Sequence, residues 1–196
     1  ASRLTPLELR RSEDFLVHEL VAAAPSLGAP LLRARFPRAY VDVNREPYEI
    51  DPAILADTAP DYANTRSPRV AAGLGTVARV VASGQEIYAH RLTTREVLTR
   101  IERCYVPYHK ALTALLEETR ARFGFCLLLD CHSMPSLPPP ADPAGQGPQN
   151  DMVLGDCHGT TSEAGLVERT ARVLQDLGYR VALNVPYAGG FITRHY

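Results

Sequence analysis

Apolar residues recur at intervals of three and four in three parts of the chain, and this spacing predicts amphipathic helices. The first helix is predicted over Glu13–Ala24, with Ser12 as its N-cap. The last is predicted over Leu166–Leu177, behind a capping box at Thr160–Glu163, and Gly178 ends it. Both helices have one apolar face, so each is expected to pack against another element.

The longest helix is predicted to begin at a capping box, Thr93–Glu96, and to end at Gly124. Pro107 lies inside this pattern. Proline lacks the amide that would donate to the carbonyl four residues earlier, so we expect a kink or a break into two helices there.

Short runs of alternating or continuous apolar residues predict strands between these helices. The segment from 46 to 68 contains four prolines and is predicted to be mostly loop. Alternation of strand and helix predicts an α/β protein, a single domain with a mostly parallel sheet covered by helices on both faces. The predicted strands lie in PLLRARF, AYVDVN, FCLLLD and YRVALNV, with TVARVVA as a further candidate. The first two segments, which Pro37 separates, are either two short strands or one bent strand.

Composition limits the classes of partner. The 196 residues carry a net charge of −1, so we expect neither nucleic acid nor a membrane surface as a partner. The sequence contains no signal peptide and no apolar run of about 18 residues. Its four cysteines form no CxxC motif, which favours reduced thiols and a cytoplasmic location.

Polar residues follow several predicted strands, and in open α/β sheets the carboxyl ends of the strands form the ligand site. Asn44 and Arg45 follow AYVDV, His132 follows the apolar run that ends at Asp130, and Asn184 follows the last predicted strand. His132 is either a metal ligand or a hydrogen-bonded structural residue. Arg45 is either part of a carboxylate-binding pair with Asn44 or one side of a surface salt bridge.

A resemblance is carried by six segments of the chain, which are RSEDFLVHEL, FPRAYVDVNREPYEIDP, YVPYHKAL, FGFCLLLDCHSMPS, DMVLGDCHGTTSE and NVPYAGGFITRHY. In order and at similar spacing, from about Leu4 to the last residue, they resemble the N-formylglutamate amidohydrolase family. The resemblance implies a zinc-dependent hydrolase with the three-layer, mixed and mostly parallel fold of the phosphorylase/hydrolase-like and zinc carboxypeptidase-like proteins. The implied reaction converts N-formyl-L-glutamate and water into formate and L-glutamate, in histidine degradation.

The resemblance also implies a metal site. His132 corresponds to the metal-binding histidine that follows a strand in this family, and the implied cofactor is Zn²⁺. Asp14 lies where relatives have an acidic residue and is a candidate second ligand. The alternative is that Asp14 is a carboxylate interacting with the positive end of a helix.

The resemblance assigns a small N-acyl amino acid as the substrate. Asn44 and Arg45 match the Asn-Arg pair that holds the carboxylates of the substrate. Arg38, Tyr187 and Arg194 are further candidates for contact with the substrate. The oligomeric state is left open.

The sequence begins after a PHSG-like segment and ends before an LQIEINR-like segment, both of which are usual in the family. The expected general base lies in the second, so no catalytic residue is assigned. We therefore expect this chain, lacking the family's N- and C-terminal segments, to be inactive or nearly so, although a longer parent protein is active. Two alternatives are a deacylase or carboxypeptidase-like hydrolase with another substrate, and a non-catalytic carboxylate-binding remnant.

Overall fold

The computed structural model describes residues 2–134 and 150–196. The chain divides into two compact units, residues 1–131 and 132–196. Among the described residues, no helix is both long enough and apolar enough to cross a bilayer. The single-domain assignment stays a prediction.

The first unit consists mostly of loops around a core of aliphatic side chains. Leu92 and Val97 are completely buried, and Leu55 is 2% exposed. Single bridges replace longer ladders: the Leu92 amide donates to the Ile54 carbonyl at 2.7 Å, and Leu92 in turn accepts from Ala56 at 2.7 Å. Between residue 46 and the start of the next helix at Pro68, the only regular element is the 3₁₀ turn Pro52–Ile54, which confirms the predicted loop. The short helices are α1 (Pro6–Leu9), α2 (Val17–Leu20) and α3 (Pro68–Ala71), and the 3₁₀ turns are Arg10–Ser12, Ala24–Leu27 and Pro52–Ile54.

The long predicted helix is confirmed from its capping box to Gly124. Of the two outcomes expected at Pro107, the break into two helices is wrong, and the kink stays a prediction. Helix α4 (Thr94–Arg100) continues through a π turn, Ile101–Tyr105, into α5 (Val106–Phe123). The Val106 amide donates to the carbonyl of Ile101, five residues earlier. A wider turn directly before Pro107 makes room for the proline ring, which would collide with a carbonyl in a regular α-helix.

The predicted helix over Glu13–Ala24 is wrong in its extent, because only α2 is α-helical there. Ser12 does not cap this helix: its hydroxyl accepts the Ala82 amide at 2.9 Å, seventy residues away. Leu16 has a φ of 60°, a left-handed conformation that interrupts the helix. A contact distant in sequence has replaced the local cap.

None of the strands predicted in the first unit forms a ladder among its described residues. Directly after the turn at 37–41, the Asp42 amide donates to the Thr76 carbonyl at 2.8 Å. Phe125–Leu129 has no backbone bond to another strand within the described residues, and Phe125, Leu127 and Leu129 are more than half exposed. The apolar pattern reports strand propensity, whereas a ladder also needs a neighbouring strand in register.

The second unit contains a small parallel sheet. Strands β1 (Met152–Leu154) and β2 (Val181–Leu183) pair in parallel, Val153 facing Ala182. Helix α6 (Ala164–Asp176) connects them, and α7 (Phe191–His195) follows β2. This β-α-β arrangement confirms the α/β class, the last predicted strand and the last predicted helix, although Glu163 is the N-cap instead of Thr160. The three-layer architecture stays a prediction.

Candidate functional site

Charged and polar side chains of the first unit form one cluster around a buried aspartate. We call it the Asp42 cluster, and its members are Asp14, Arg38, Asp42, Asn44, Arg45 and Asp130. Val41 is 1% exposed and Ala39 is 4% exposed, so the turn is held in the core by its apolar residues. Asp42 and Asn44, which alternate with apolar residues, are each only 6% exposed. Buried polar groups of this kind require hydrogen-bond partners.

Arg38 is held by two carboxylates. Its Nε donates to Asp42 Oδ2 at 3.0 Å, and its Nη1 donates to Asp14 Oδ2 at 3.0 Å. The Arg38 side chain is 32% exposed, so part of the guanidinium reaches the surface. A guanidinium has five N–H donors, and these two bonds leave others for a ligand.

Arg45 is used mainly inside the protein. Its Nε donates to the Leu74 carbonyl at 2.9 Å and its Nη1 donates to the Asn44 carbonyl at 3.1 Å. Its Nη2 lies 3.4 Å from Asp42 Oδ2, and its side chain is 12% exposed. Neither alternative from the sequence describes it fully, since the ion pair is buried and the guanidinium also bonds to two backbone carbonyls.

Asn44 connects the turn to the end of the apolar segment. Its amide N–H donates to Asp42 Oδ1 at 2.9 Å, and its Nδ2 donates to Asp130 Oδ2 at 3.1 Å. Asp130 therefore contacts the predicted substrate-binding asparagine, a pairing that sequence analysis did not predict. The two residues are 86 positions apart, and no local pattern marks such a contact.

The two arginines have opposite pKa shifts. Burial acts to lower the pKa of Arg38, but the carboxylates of Asp42 and Asp14 outweigh it and raise that pKa above its ordinary value. For Arg45 burial prevails over the attraction of Asp42, and its pKa is lowered. Both guanidinium groups remain charged near neutral pH. Three carboxylates oppose two guanidinium groups, so the ionised cluster has one excess negative charge.

The long helix supports the cluster through its π turn. Tyr105 donates its hydroxyl to the Arg45 carbonyl at 2.8 Å. His109 Nε2 lies 2.9 Å from the Val43 carbonyl, and because a carbonyl only accepts, this nitrogen carries the proton. The ring centroids of Tyr105 and His109 are 4.1 Å apart. Sequence analysis missed both residues, although YVPYHKAL, which contains them, was one of the segments that carry the resemblance.

The second unit has its own polar center, in which Asn184 joins two loops. The Asn184 Oδ1 accepts the amides of Asp156 at 3.0 Å and His158 at 3.2 Å, and its Nδ2 donates to Asp156 Oδ1 at 2.8 Å. The Asn184 side chain lowers the pKa of Asp156, and the Gly159 amide adds to this effect. The following loop presents Tyr187 with 52% of its surface exposed.

Arg194 is exposed and lies beside an open recess of about 530 Å³ in the second unit. Residues before α6 form one side of this recess, and α7 forms the other. Its polar lining consists of Thr160, Thr161, Ser162, Glu163, Thr193, Arg194 and His195, with Tyr196 completing it.

The predicted site residues are thus distributed over both units. The structure brings Asp14, Arg38, Asn44 and Arg45 together in the first unit. His132, Tyr187 and Arg194 belong to the second.

The candidate metal ligands were tested by their donor set. Carboxylate oxygen and imidazole nitrogen are ligand types that zinc accepts. Within residues 2–134 and 150–196, however, no group of three or more His, Cys, Asp or Glu side chains is placed to hold a metal ion. The described residues do not supply a complete zinc site, and no reaction step is derived through zinc.

A model of the family described as N-formylglutamate amidohydrolase matches residues 1–196. The chain belongs to this family. Among its relatives, the N-formylglutamate deformylase of Pseudomonas putida is 30% identical over 187 residues, which cover 93% of this chain and 62% of the relative. The Pseudomonas aeruginosa protein of the same name is 29% identical over 186 residues, covering 93% of this chain and 63% of that protein.

A solved relative agrees in fold. The crystal structure of N-formylglutamate amidohydrolase from Ralstonia eutropha JMP134 matches with a TM-score of 0.88 and 38% identity. The match covers 99% of this chain and 69% of that chain. The chain spans less than two thirds of the length of the curated N-formylglutamate deformylases that it matches.

Proposed function

We propose that this N-formylglutamate amidohydrolase family chain belongs to an enzyme that hydrolyses the amide bond of N-formyl-L-glutamate to formate and L-glutamate. Family membership supports the proposal, together with two relatives of known name and a solved relative at 38% identity. The single observation in this chain that carries it is the Asp42 cluster, in which two carboxylates hold the guanidinium of Arg38 while 32% of its side chain stays exposed. A guanidinium held in this way suits a carboxylate of the substrate.

In the proposed mechanism, this chain binds and orients the substrate. Arg38 donates from its remaining N–H groups to a substrate carboxylate, while Asp14 and Asp42 hold its guanidinium. Asn44 and Arg45 complete the carboxylate site of the first unit. Tyr187 and Arg194, which belong to the second unit, stay candidates for contact with the substrate. Water adds to the formyl carbon, the C–N bond breaks, and the amine nitrogen takes a proton; the group that transfers this proton is not assigned.

Zinc dependence is part of the proposal, and His132 and Asp14 each stay a candidate ligand. When bound, zinc would lower the pKa of a coordinated water to about 7 and polarise the formyl carbonyl. The three-layer, zinc carboxypeptidase-like fold and a cytoplasmic location are proposed with it.

The test is formate release from N-formyl-L-glutamate by the protein purified from its natural gene, together with its metal content. N-acetyl-L-glutamate and N-formyl-L-aspartate serve as competing substrates, and calorimetry with the 196-residue chain measures binding alone. Formate release with preference for the formyl group is expected. If the protein neither hydrolyses nor binds N-formyl-L-glutamate, the proposal is contradicted. Binding without turnover by the natural product would favour the non-catalytic remnant.

An Arg38→Gln variant tests the proposed carboxylate contact. A hydrogen bond to a charged group contributes about 1.5–3 kcal/mol, so KM for N-formyl-L-glutamate should rise at least about tenfold. Arg79→Gln is the matched control, because Arg79 Nε donates to a buried aspartate, Asp51, at 2.8 Å outside the Asp42 cluster. An equal rise in KM for both variants would remove Arg38 from the substrate site.

A further inference from the structure

Asp42 is the member of its cluster with the most partners, and sequence analysis assigned it no role. Its Oδ1 accepts the Asn44 amide at 2.9 Å. Its Oδ2 accepts Arg38 Nε at 3.0 Å and lies 3.4 Å from Arg45 Nη2. One carboxylate thus contacts all three residues that are proposed to bind the substrate carboxylates.

We propose that Asp42 is a positioning residue that aligns Arg38, Arg45 and Asn44 for recognition of the side-chain carboxylate of the substrate. This inference rests on the proposed function. Asp42 itself is 6% exposed and acts through its partners. A flexible arginine loses side-chain entropy when it binds a ligand, and a partner that already fixes the guanidinium reduces this cost.

The bonding pattern favours alignment over simple charge neutralisation. Asp42 binds Arg38 at Nε and Asp14 binds it at Nη1, so each carboxylate uses a different edge of the guanidinium. A planar group that is held at two of its edges has a defined plane, and its remaining N–H donors have defined directions. Two-pronged recognition of a carboxylate requires this kind of order.

The chain contains a matched aspartate at another position. Asp51 is 5% exposed, its Oδ1 accepts the amide two residues later at 2.8 Å, and its Oδ2 accepts Arg79 Nε at 2.8 Å. Asp42 has the same arrangement with Asn44 and Arg38. Asp51→Asn therefore removes an equivalent structural bond without touching the Asp42 cluster.

The experiment compares Asp42→Asn with Asp51→Asn. In either variant a side-chain amide replaces one carboxylate oxygen, so an N–H would face another donor. Calorimetry measures Kd for N-formyl-L-glutamate and for N-formyl-L-glutamine, which lacks the side-chain carboxylate. Where turnover is present, KM and kcat are measured on the same pair.

For Asp42→Asn we expect Kd and KM for N-formyl-L-glutamate to rise about tenfold or more, by the loss of charge-assisted bonds, with kcat nearly unchanged. Kd for N-formyl-L-glutamine should change little, so the preference for the dicarboxylate decreases. Asp51→Asn should keep that preference even if it loses equal stability. A purely structural role for Asp42 would weaken both ligands equally, and that result overturns the inference.

The wild-type protein separates this inference from the proposed function. If it does not bind N-formyl-L-glutamate, both fail; if it binds with preference and Asp42→Asn keeps the preference, only the inference fails. Should Asp42→Asn not fold, ¹⁵N spectra of the wild-type arginine Nε–H groups provide the test. Saturating N-formyl-L-glutamate should shift the Arg38 signal and not that of Arg79, and an unmoved Arg38 signal overturns the inference.

Discussion

Replacing Asn184 with alanine should destabilise the second unit strongly. The Asn184 side chain makes three hydrogen bonds to the loop that follows β1, two as an acceptor of amides and one as a donor to Asp156. Alanine removes all three and leaves the carboxylate of Asp156, which is 8% exposed, with fewer donors. These hydrogen bonds join the loop after β1 to the loop after β2, so their loss should loosen this connection.

The magnitude follows from these bonds. A neutral hydrogen bond contributes about 1 kcal/mol, and one to a charged group about 1.5–3 kcal/mol. Asn184 also has a φ of 60°, a conformation that costs alanine roughly 1 kcal/mol more than asparagine. Because some of the freed groups gain water, we expect a decrease in the free energy of unfolding of about 3–4 kcal/mol.

The pH dependence supplies a second readout. The folded-state pKa of Asp156 is lowered chiefly by Asn184. Its stabilising effect is therefore complete above the unfolded pKa of about 3.9 and is lost as the pH falls through the lower folded value. Without the Asn184 bond this difference decreases, so the destabilisation by Asn184→Ala should be smaller at acid pH than at neutral pH.

Urea unfolding followed by far-UV circular dichroism measures both effects, and hydrogen exchange of the Asp156 and His158 amides reports the broken bonds directly. Asn184→Gly is the control: glycine adopts a positive φ freely, so it should be less destabilised than the alanine variant by about 1 kcal/mol. A loss below about 1 kcal/mol at neutral pH, within the range of one ordinary hydrogen bond, would refute the reasoning. An equal loss at both pH values would contradict its electrostatic part.

Two further predictions concern other parts of the chain. Gly75→Ala should destabilise the first unit by about 3 kcal/mol, because the added Cβ would collide with the Glu49 carbonyl oxygen. Gly84→Ala is the control, since no heavy atom lies within 4 Å of its Cβ and it should cost only the strain of its positive φ. Equal melting temperatures of the two variants would contradict this prediction. Hydrogen bonds from Arg180 lower the pKa of Asp151 to about 2. The Arg180→Gln substitution should raise this pKa toward about 3.9, as an NMR titration of Asp151 would measure. An unchanged titration midpoint would show that the Arg180 side chain is not the cause.

Elements whose signals are local were predictable. The capping box at Thr93, the end of α5 at Gly124 and the end of α6 at Gly178 all depend on residues within one or two turns. The predicted helix over Glu13–Ala24 was wrong because the Ser12 hydroxyl bonds to a distant amide. The apolar spacing of this segment is typical of a helix, but the Ser12 hydroxyl bonds to Ala82 instead of capping the helix.

The candidate site was predictable only in part. Asn44 and Arg45 stood out because an amide and a guanidinium are adjacent after an apolar run. The bond from Asn44 to Asp130 and the support from His109 could not be predicted, since each joins positions more than sixty residues apart. Asp42 was missed because its importance depends on how many partners surround it, which sequence spacing does not encode.

The sequence by itself determined the family, the α/β class and the residue types available for binding a carboxylate. Periodicity, capping and quoted motifs are short-range properties, and they survive in any arrangement of the elements. Only the tertiary structure decided that Arg38 is shared by Asp14 and Asp42 while Arg45 is used largely by backbone carbonyls. The physical reason is that burial and the number of partners select among competing ion pairs, and both arise when distant segments pack together.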